Sequence, residues 1–217
     1  MLALLLSLAA ADTSGYWQQQ VRYQIAARLD EASGVLTGTA QITYRNNSPD
    51  TLREFYVHQF MNAFRPGSRW AEADQREQRV RFQRMQDPDY AFNRITRAEL
   101  MGRANRPEYP FAPDSTVARF PLPSPLAPGD SLVAVIAWQA RPSTLPRRQG
   151  RDPANRRYDF AQWYPKVVVY DRYKWNARPL YPAGEFYGEF GTYDVVLDLP
   201  EDQVIGATGV PVEGDPG

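Results

Sequence analysis

Polar and apolar residues alternate along much of this chain, most regularly near its start. Over residues 20–30, Val21, Tyr23, Ile25, Ala27 and Leu29 alternate with Gln20, Arg22, Gln24 and Arg28. A period of two predicts a strand with one face buried and one wet, because successive side chains leave a pleated backbone on opposite sides. Glu31-Ala-Ser-Gly34 supplies a turn. The next run puts Leu36, Gly38, Ala40, Ile42 and Tyr44 on one face and Thr37, Thr39, Gln41 and Thr43 on the other. Asn46-Asn-Ser-Pro-Asp50 ends that strand with strong turn chemistry, and a third strand is predicted over 52–60.

The pattern then changes. Residues 68–84 are rich in Glu, Gln, Arg and Ala, with Ser68 as an N-cap, and predict a helix or a solvated insertion ended by Asp87-Pro88. Its arginines are interleaved with Glu72, Asp74 and Glu77, which reads as a solvent-facing surface and not as a nucleic-acid site. Further strands are predicted over 94–101, 116–122 and 131–139, the last two flanking a turn built on Pro128-Gly-Asp130. A polar, arginine-rich loop covers 142–157. From Tyr158 the chain turns aromatic, and it ends with strands at 193–199 and from Val204 onward. Strand follows strand with no βαβ rhythm and no internal repeat. The fold class expected is all-β, an antiparallel β-sandwich with one helical or irregular insertion.

Composition narrows the function. The chain has 217 residues, 43% hydrophobic and 13% aromatic, enough to form a sizeable core. Its 25 basic and 25 acidic residues balance, so no field of one sign draws nucleic acid or an anionic membrane. Lys166 and Lys174 are the only lysines. With no cysteine, disulfides, thiolate metal sites and a cysteine nucleophile are all excluded. His58 is the only histidine. A catalytic zinc normally takes two or three imidazoles, so this chain cannot complete such a site, and a serine–histidine–aspartate triad would have to use a residue inside a predicted strand.

Met1-Leu-Ala-Leu-Leu-Leu-Ser-Leu-Ala-Ala-Ala11 is a short apolar run ending in small residues. About ten apolar residues are too few to cross a bilayer core of roughly 30 Å. Residues 1–11 are therefore expected to be a signal peptide, lacking its charged start, with cleavage near Ala9-Ala10-Ala11. The mature chain would be exported, to the periplasm or outside. A buried N-terminal segment is the alternative to that expectation.

Two constellations carry candidate chemistry. Gly184-Glu-Phe-Tyr-Gly-Glu-Phe-Gly191 holds Glu185 and Glu189, and paired carboxylates about 5–10 Å apart can run glycoside hydrolysis. The alternative is a glycine-shaped bend packing on a neighbour. Residues 160–170, with Trp175 and Tyr181, concentrate aromatics that could stack on sugar or on a partner, or simply fill the core.

Several stretches together resemble a known family. Tyr158-Asp-Phe-Ala-Gln-Trp-Tyr-Pro-Lys166, the run from Tyr181 to Val195, Leu199-Pro200 and Val204-Ile-Gly-Ala-Thr-Gly209 resemble the N-terminal domain of aminopeptidase-N-type zinc metallopeptidases, the gluzincins, in their exported bacterial branch. The strand opening at Tyr23, the hairpin at Leu36-Thr-Gly38, Phe60-Met-Asn-Ala-Phe-Arg-Pro-Gly67 and Leu122-Pro-Ser-Pro-Leu-Ala-Pro-Gly-Asp130 agree. The resemblance covers about 16–212. It implies a saddle-shaped β-sandwich standing before a catalytic domain, with residues 213–217 a truncated continuation. The His-Glu-x-x-His helix and the Gly-x-Met-Glu-Asn-type strand of that family do not occur here. The chain is thus expected to be a fragment with no catalytic residue and no metal of its own. Its partners would be its own catalytic domain, holding zinc, and a peptide substrate. One substrate-binding residue follows from the resemblance: Gln162, matched to a family position that lines the pocket for a peptide's amino terminus. A glutamine bonding strand backbone is the alternative for that residue. A stand-alone module binding glycan or protein near Trp163 and Trp175, and a pseudo-enzyme scaffold, are the alternatives for the whole.

Overall fold

The computed structural model describes residues 15–214. The expected signal peptide, residues 1–11, and the last residues, 215–217, lie outside the described residues. β1 (Gln20–Asp30) and β2 (Val35–Arg45) form the predicted hairpin, paired from Gln20–Arg45 through Asp30–Val35. Gly34, at φ +65°, makes the reversal in a conformation that side chains with a Cβ disfavour. β3 (Leu52–His58) leads into a 3₁₀ turn at Phe60–Ala63, and α1 (Arg69–Arg76) follows. Then come β4 (Phe92–Leu100), β5 (Arg103–Asn105), β6 (Val117–Leu126) and β7 (Ser131–Arg141). The last third holds short pieces: β8 (Gly150–Asp152), β9 (Arg157–Asp159), β10 (Lys166–Val167), β11 (Tyr170–Asp171), β12 (Lys174–Trp175) and finally β13 (Gly191–Asp198).

Six strands form one sheet in the order β13-β1-β2-β7-β4-β5, and three form a second, β10-β3-β6. The alternation read from the sequence is obeyed: every second residue of β1 is buried. The buried residues of β1, β2 and β7 meet those of β3 and β6, with the Tyr44 and Phe55 rings 5.6 Å apart across the layers. Trp138 is fully buried at the centre. It has room because its cross-strand partner is Gly38, where a Cβ would come within 2.5 Å of the indole ring. The all-β sandwich with one helix is therefore the observed fold. No helix among the described residues is long and apolar enough to cross a membrane.

Four expectations change in detail. β13 pairs with β1 in parallel, so the large sheet is mixed at that edge. The third strand stops at His58, and its expected last residue, Phe60, opens the 3₁₀ turn. The helix starts where Ser68 caps it, its side chain accepting from the Ala71 N–H, but it ends at Arg76 and not near 84. Gln78 turns left-handed at φ 58°, and the buried Asp74 carboxylate draws Arg81 back onto the helix, with Arg81 Nε donating at 2.7 Å. No strand forms from Val204: Val204, Val210 and Val212 are exposed and have no ladder partner among the described residues.

Candidate functional site

Residues 158–190 wrap the β1 end of the sandwich, and the candidate chemistry lies there. The Tyr158 hydroxyl donates to the Glu31 carbonyl at 3.1 Å, pinning the segment to the first hairpin turn. Tyr158, Phe160 and Trp163 then cover Ala27, Leu29 and Leu36. Trp163 rests on Trp138, ring centroids 6.0 Å apart, and its carbonyl accepts from Asn93 Nδ2 at 2.8 Å. Asn93 is itself fixed by Asn62, which exchanges two 2.8 Å bonds with its backbone, and by Gln59 Nε2 at 2.7 Å. A buried network of this kind holds one geometry, since each broken member would leave a desolvated polar group. Nothing in the sequence reading singled out Gln59, Asn62 and Asn93; polar residues in apolar surroundings just after the third strand and at the start of β4 were the available signal.

Gln162 sits in this held segment. Its backbone is left-handed, φ 54°, which costs a residue with a Cβ about 1–2 kcal/mol. Its Oε1 is buried and has no hydrogen-bond partner. A strained backbone carrying an unsatisfied amide oxygen is the combination found where a side chain is held ready for a ligand. The amide oxygen is not spent on strand backbone.

Beyond Gln162 the chain is locked by tyrosines. Tyr23 stacks on Tyr193, centroids 4.7 Å apart and planes 5° from parallel, and accepts from the Val167 N–H at 2.9 Å. The hydroxyls of Tyr164 and Tyr193 lie 3.1 Å apart. Burial, with Tyr193 close by, pushes the Tyr23 and Tyr164 hydroxyls up, so both stay neutral donors.

His58 is buried on β3, its ring 4.3 Å from that of Phe60. Burial pushes its pKa down to about 4; the Thr116 backbone opposes this and Lys166 adds to it. Its Nδ1 has no partner, so the orienting bond that a catalytic triad gives its histidine is not made. Glu185 and Glu189 have different surroundings. Glu185 is exposed and pairs with Arg148 at 2.9 Å, whereas Glu189 is half-buried and its carboxyl is pushed up by burial and then by Asp171. Trp175 packs on Tyr170, Tyr56 and Tyr44, with centroids 5.0, 5.4 and 6.0 Å away, so it lines the core as Trp163 does. The exposed rings are instead Tyr173, Tyr181, Tyr187 and Phe190.

Among the described residues no group of three or more His, Cys, Asp or Glu side chains is placed to hold a metal ion. The residues present do not fit a zinc centre.

No family model matches the sequence, and no curated protein matches it. Solved structures of M1 zinc metallopeptidases are similar over part of their length. A two-domain M1 zinc metallopeptidase mutant bound to L-tryptophan is 15% identical, over 86% of this chain and 34% of that one, at a TM-score of 0.43. An M1 zinc metallopeptidase from Deinococcus radiodurans is 13% identical over the same shares, at a TM-score of 0.41. The chain spans about a third of the length of these structures.

Proposed function

We propose that this chain is the non-catalytic N-terminal domain of an exported zinc metallopeptidase that removes N-terminal residues from peptides. It would wall the substrate cleft and turn Gln162 toward the peptide's amino terminus. Zinc and the hydrolytic residues would be supplied by a further domain of the same protein. The observation that carries the reading is Gln162, left-handed and with Oε1 unpartnered, in the stretch whose sequence resembles the family. An amide oxygen in that state accepts from an ammonium group without breaking any bond already made.

Two measurements test this. The coding frame beyond Gly217 should run into a His-Glu-x-x-His helix with a later glutamate, and an immediate stop codon would overturn the proposal. In the protein carrying that domain, Gln162→Ala should raise KM for short unblocked peptides about 10-fold, the loss expected for one hydrogen bond to a charged group. Unchanged kinetics would remove Gln162 from the site.

A further inference from the structure

The chain's two lysines have opposite surroundings. Lys174 is exposed and pairs with Asp50 at 2.8 Å. Lys166 is half-buried at the start of β10, and no ion pair or hydrogen bond holds its ammonium among the described residues. Burial alone acts on it, lowering its pKa. Its cross-strand neighbour is His58, which is buried, neutral at pH 7 and unpartnered at Nδ1. Nothing negative on that side balances the charge, and a half-buried cation without a counter-ion is costly to keep.

The backbone makes way for the lysine chain itself. Gly188 passes so close that a Cβ there would sit 2.6 Å from Lys166 Nζ and Cε. The φ of Gly188 is not in the left-handed region, so this glycine supplies room and not a special turn. The surroundings are aromatic. Phe186 packs edge-on to Phe60 at 4.8 Å, Phe60 stacks on His58, and Tyr187 and Phe190 beside Gly188 are exposed, Phe190 by 86%. Arg148 lies over Phe186 but is engaged by Glu185.

We propose that Lys166, beneath Gly188 and beside Phe186, is a binding site for a peptide carboxylate flanked by an apolar side chain. One ammonium matches one carboxylate, whereas a phosphate dianion is normally met by several donors or an arginine fork. The aromatic rim matches the apolar neighbour. The carboxylate has two sources, a chain terminus or an acidic side chain of a docking segment. The site does not rest on the metallopeptidase reading, and a stop codon after Gly217 would leave it intact.

With only two lysines, the chain labelled with ¹³C-lysine gives two Cε signals. N-acetylphenylalanine offers a terminal carboxylate, N-acetylglutamyl-phenylalaninamide a side-chain one, and N-acetylphenylalaninamide neither. At least one carboxylate probe should move the Lys166 signal saturably, with a midpoint on the order of 1–10 mM, leaving Lys174 still and the neutral probe without effect. The stronger carboxylate probe identifies the source. In Lys166→Met the amide signal of Gly188 should lose its response to the same probe. No saturable shift, or an equal shift with the neutral probe, overturns the site; the wild-type titration decides alone if the variant does not fold.

Discussion

Along the outer edge of β6, Arg119 exchanges two 2.8 Å backbone bonds with Glu108, so residues of the same parity point their backbone nitrogens outward. Two residues on stands Pro121, which has no N–H to offer there, and Pro123 and Pro125 follow where the pairing of β6 with β3 is irregular. At the far end of the other sheet, β13 has no proline and no outer partner among the described residues. Tyr193, Val195 and Val196 stay exposed there, Val196 by 67%. Charge appears only as Asp194 and Asp198 facing Arg22 and Arg28 of β1. Proline-blunted edges refuse further strands, and bare apolar ones accept them. This sandwich is therefore finished on the β6 side and open on the β13 side. The largest test of that contrast strikes the finished part. Trp138→Ala should cost about 4 kcal/mol, because it empties the centre of both layers where Gly38 has made room for an indole. Urea unfolding measures it, and a loss below about 1.5 kcal/mol would mean that the layers do not close over Trp138.

How much of this was legible in sequence follows the same division. The hairpin of β1 and β2 and the strand β7 were readable because a period of two directly states which face is buried. Ser68 was readable because capping is local chemistry. The parallel pairing of β13 was not, since alternation fixes a face and says nothing of the neighbour. The shortened helix was not either: its end depends on Asp74 gathering arginines from beyond it. At the site, Gln162 came from a motif, but its left-handed backbone and idle amide oxygen exist only once Asn93 and Trp138 hold the segment. His58 was visible as a singleton; that it lies buried and neutral under the aromatic ribbon was not. The isolation of Lys166 is a fact about what is absent around it, and no local pattern encodes that.

His58 lies at the seam between the closed and open parts, and acid probes it. Its pKa falls from 6.5 unfolded to about 4 folded, so the folded chain binds fewer protons between those values. Stability present above pH 6.5 is therefore lost as pH falls toward 4, by up to about 3 kcal/mol at 1.36 kcal/mol per unit. Asp50, Glu54 and Asp87, whose pKa values are lowered by their partners, lose their contributions only further into acid. Glu189, its carboxyl pushed up by burial, titrates towards the same acid end with the opposite sign, so urea midpoints at about pH 7.5 and about pH 4.5 report the histidine through the difference between wild type and a His58 variant. His58→Leu, which keeps the bulk and removes the titration, should lose about 2–3 kcal/mol less than wild type over that interval. Equal losses would mean that the ribbon carrying Phe186 does not cover β3.

The smallest effect on stability belongs to the open edge. Val196→Glu and Phe190→Ser exchange exposed apolar side chains for polar ones, and neither native side chain is buried enough to contribute much to the folded state. Each should leave the unfolding free energy within about 0.5 kcal/mol of wild type, the usual range for surface positions. What should change is association. An unpaired apolar edge templates further strands, and a charge placed on it opposes that, so sedimentation of the wild-type chain at rising concentration should show self-association that Val196→Glu suppresses. The proline side supplies the control: Ser124→Glu, on β6 between Pro123 and Pro125, should leave the sedimentation unchanged, because that edge has already lost the donors a partner strand would use. If Val196→Glu instead costs more than about 1.5 kcal/mol while sedimentation stays the same, β13 is packed within this chain, and the contrast between the two edges is lost.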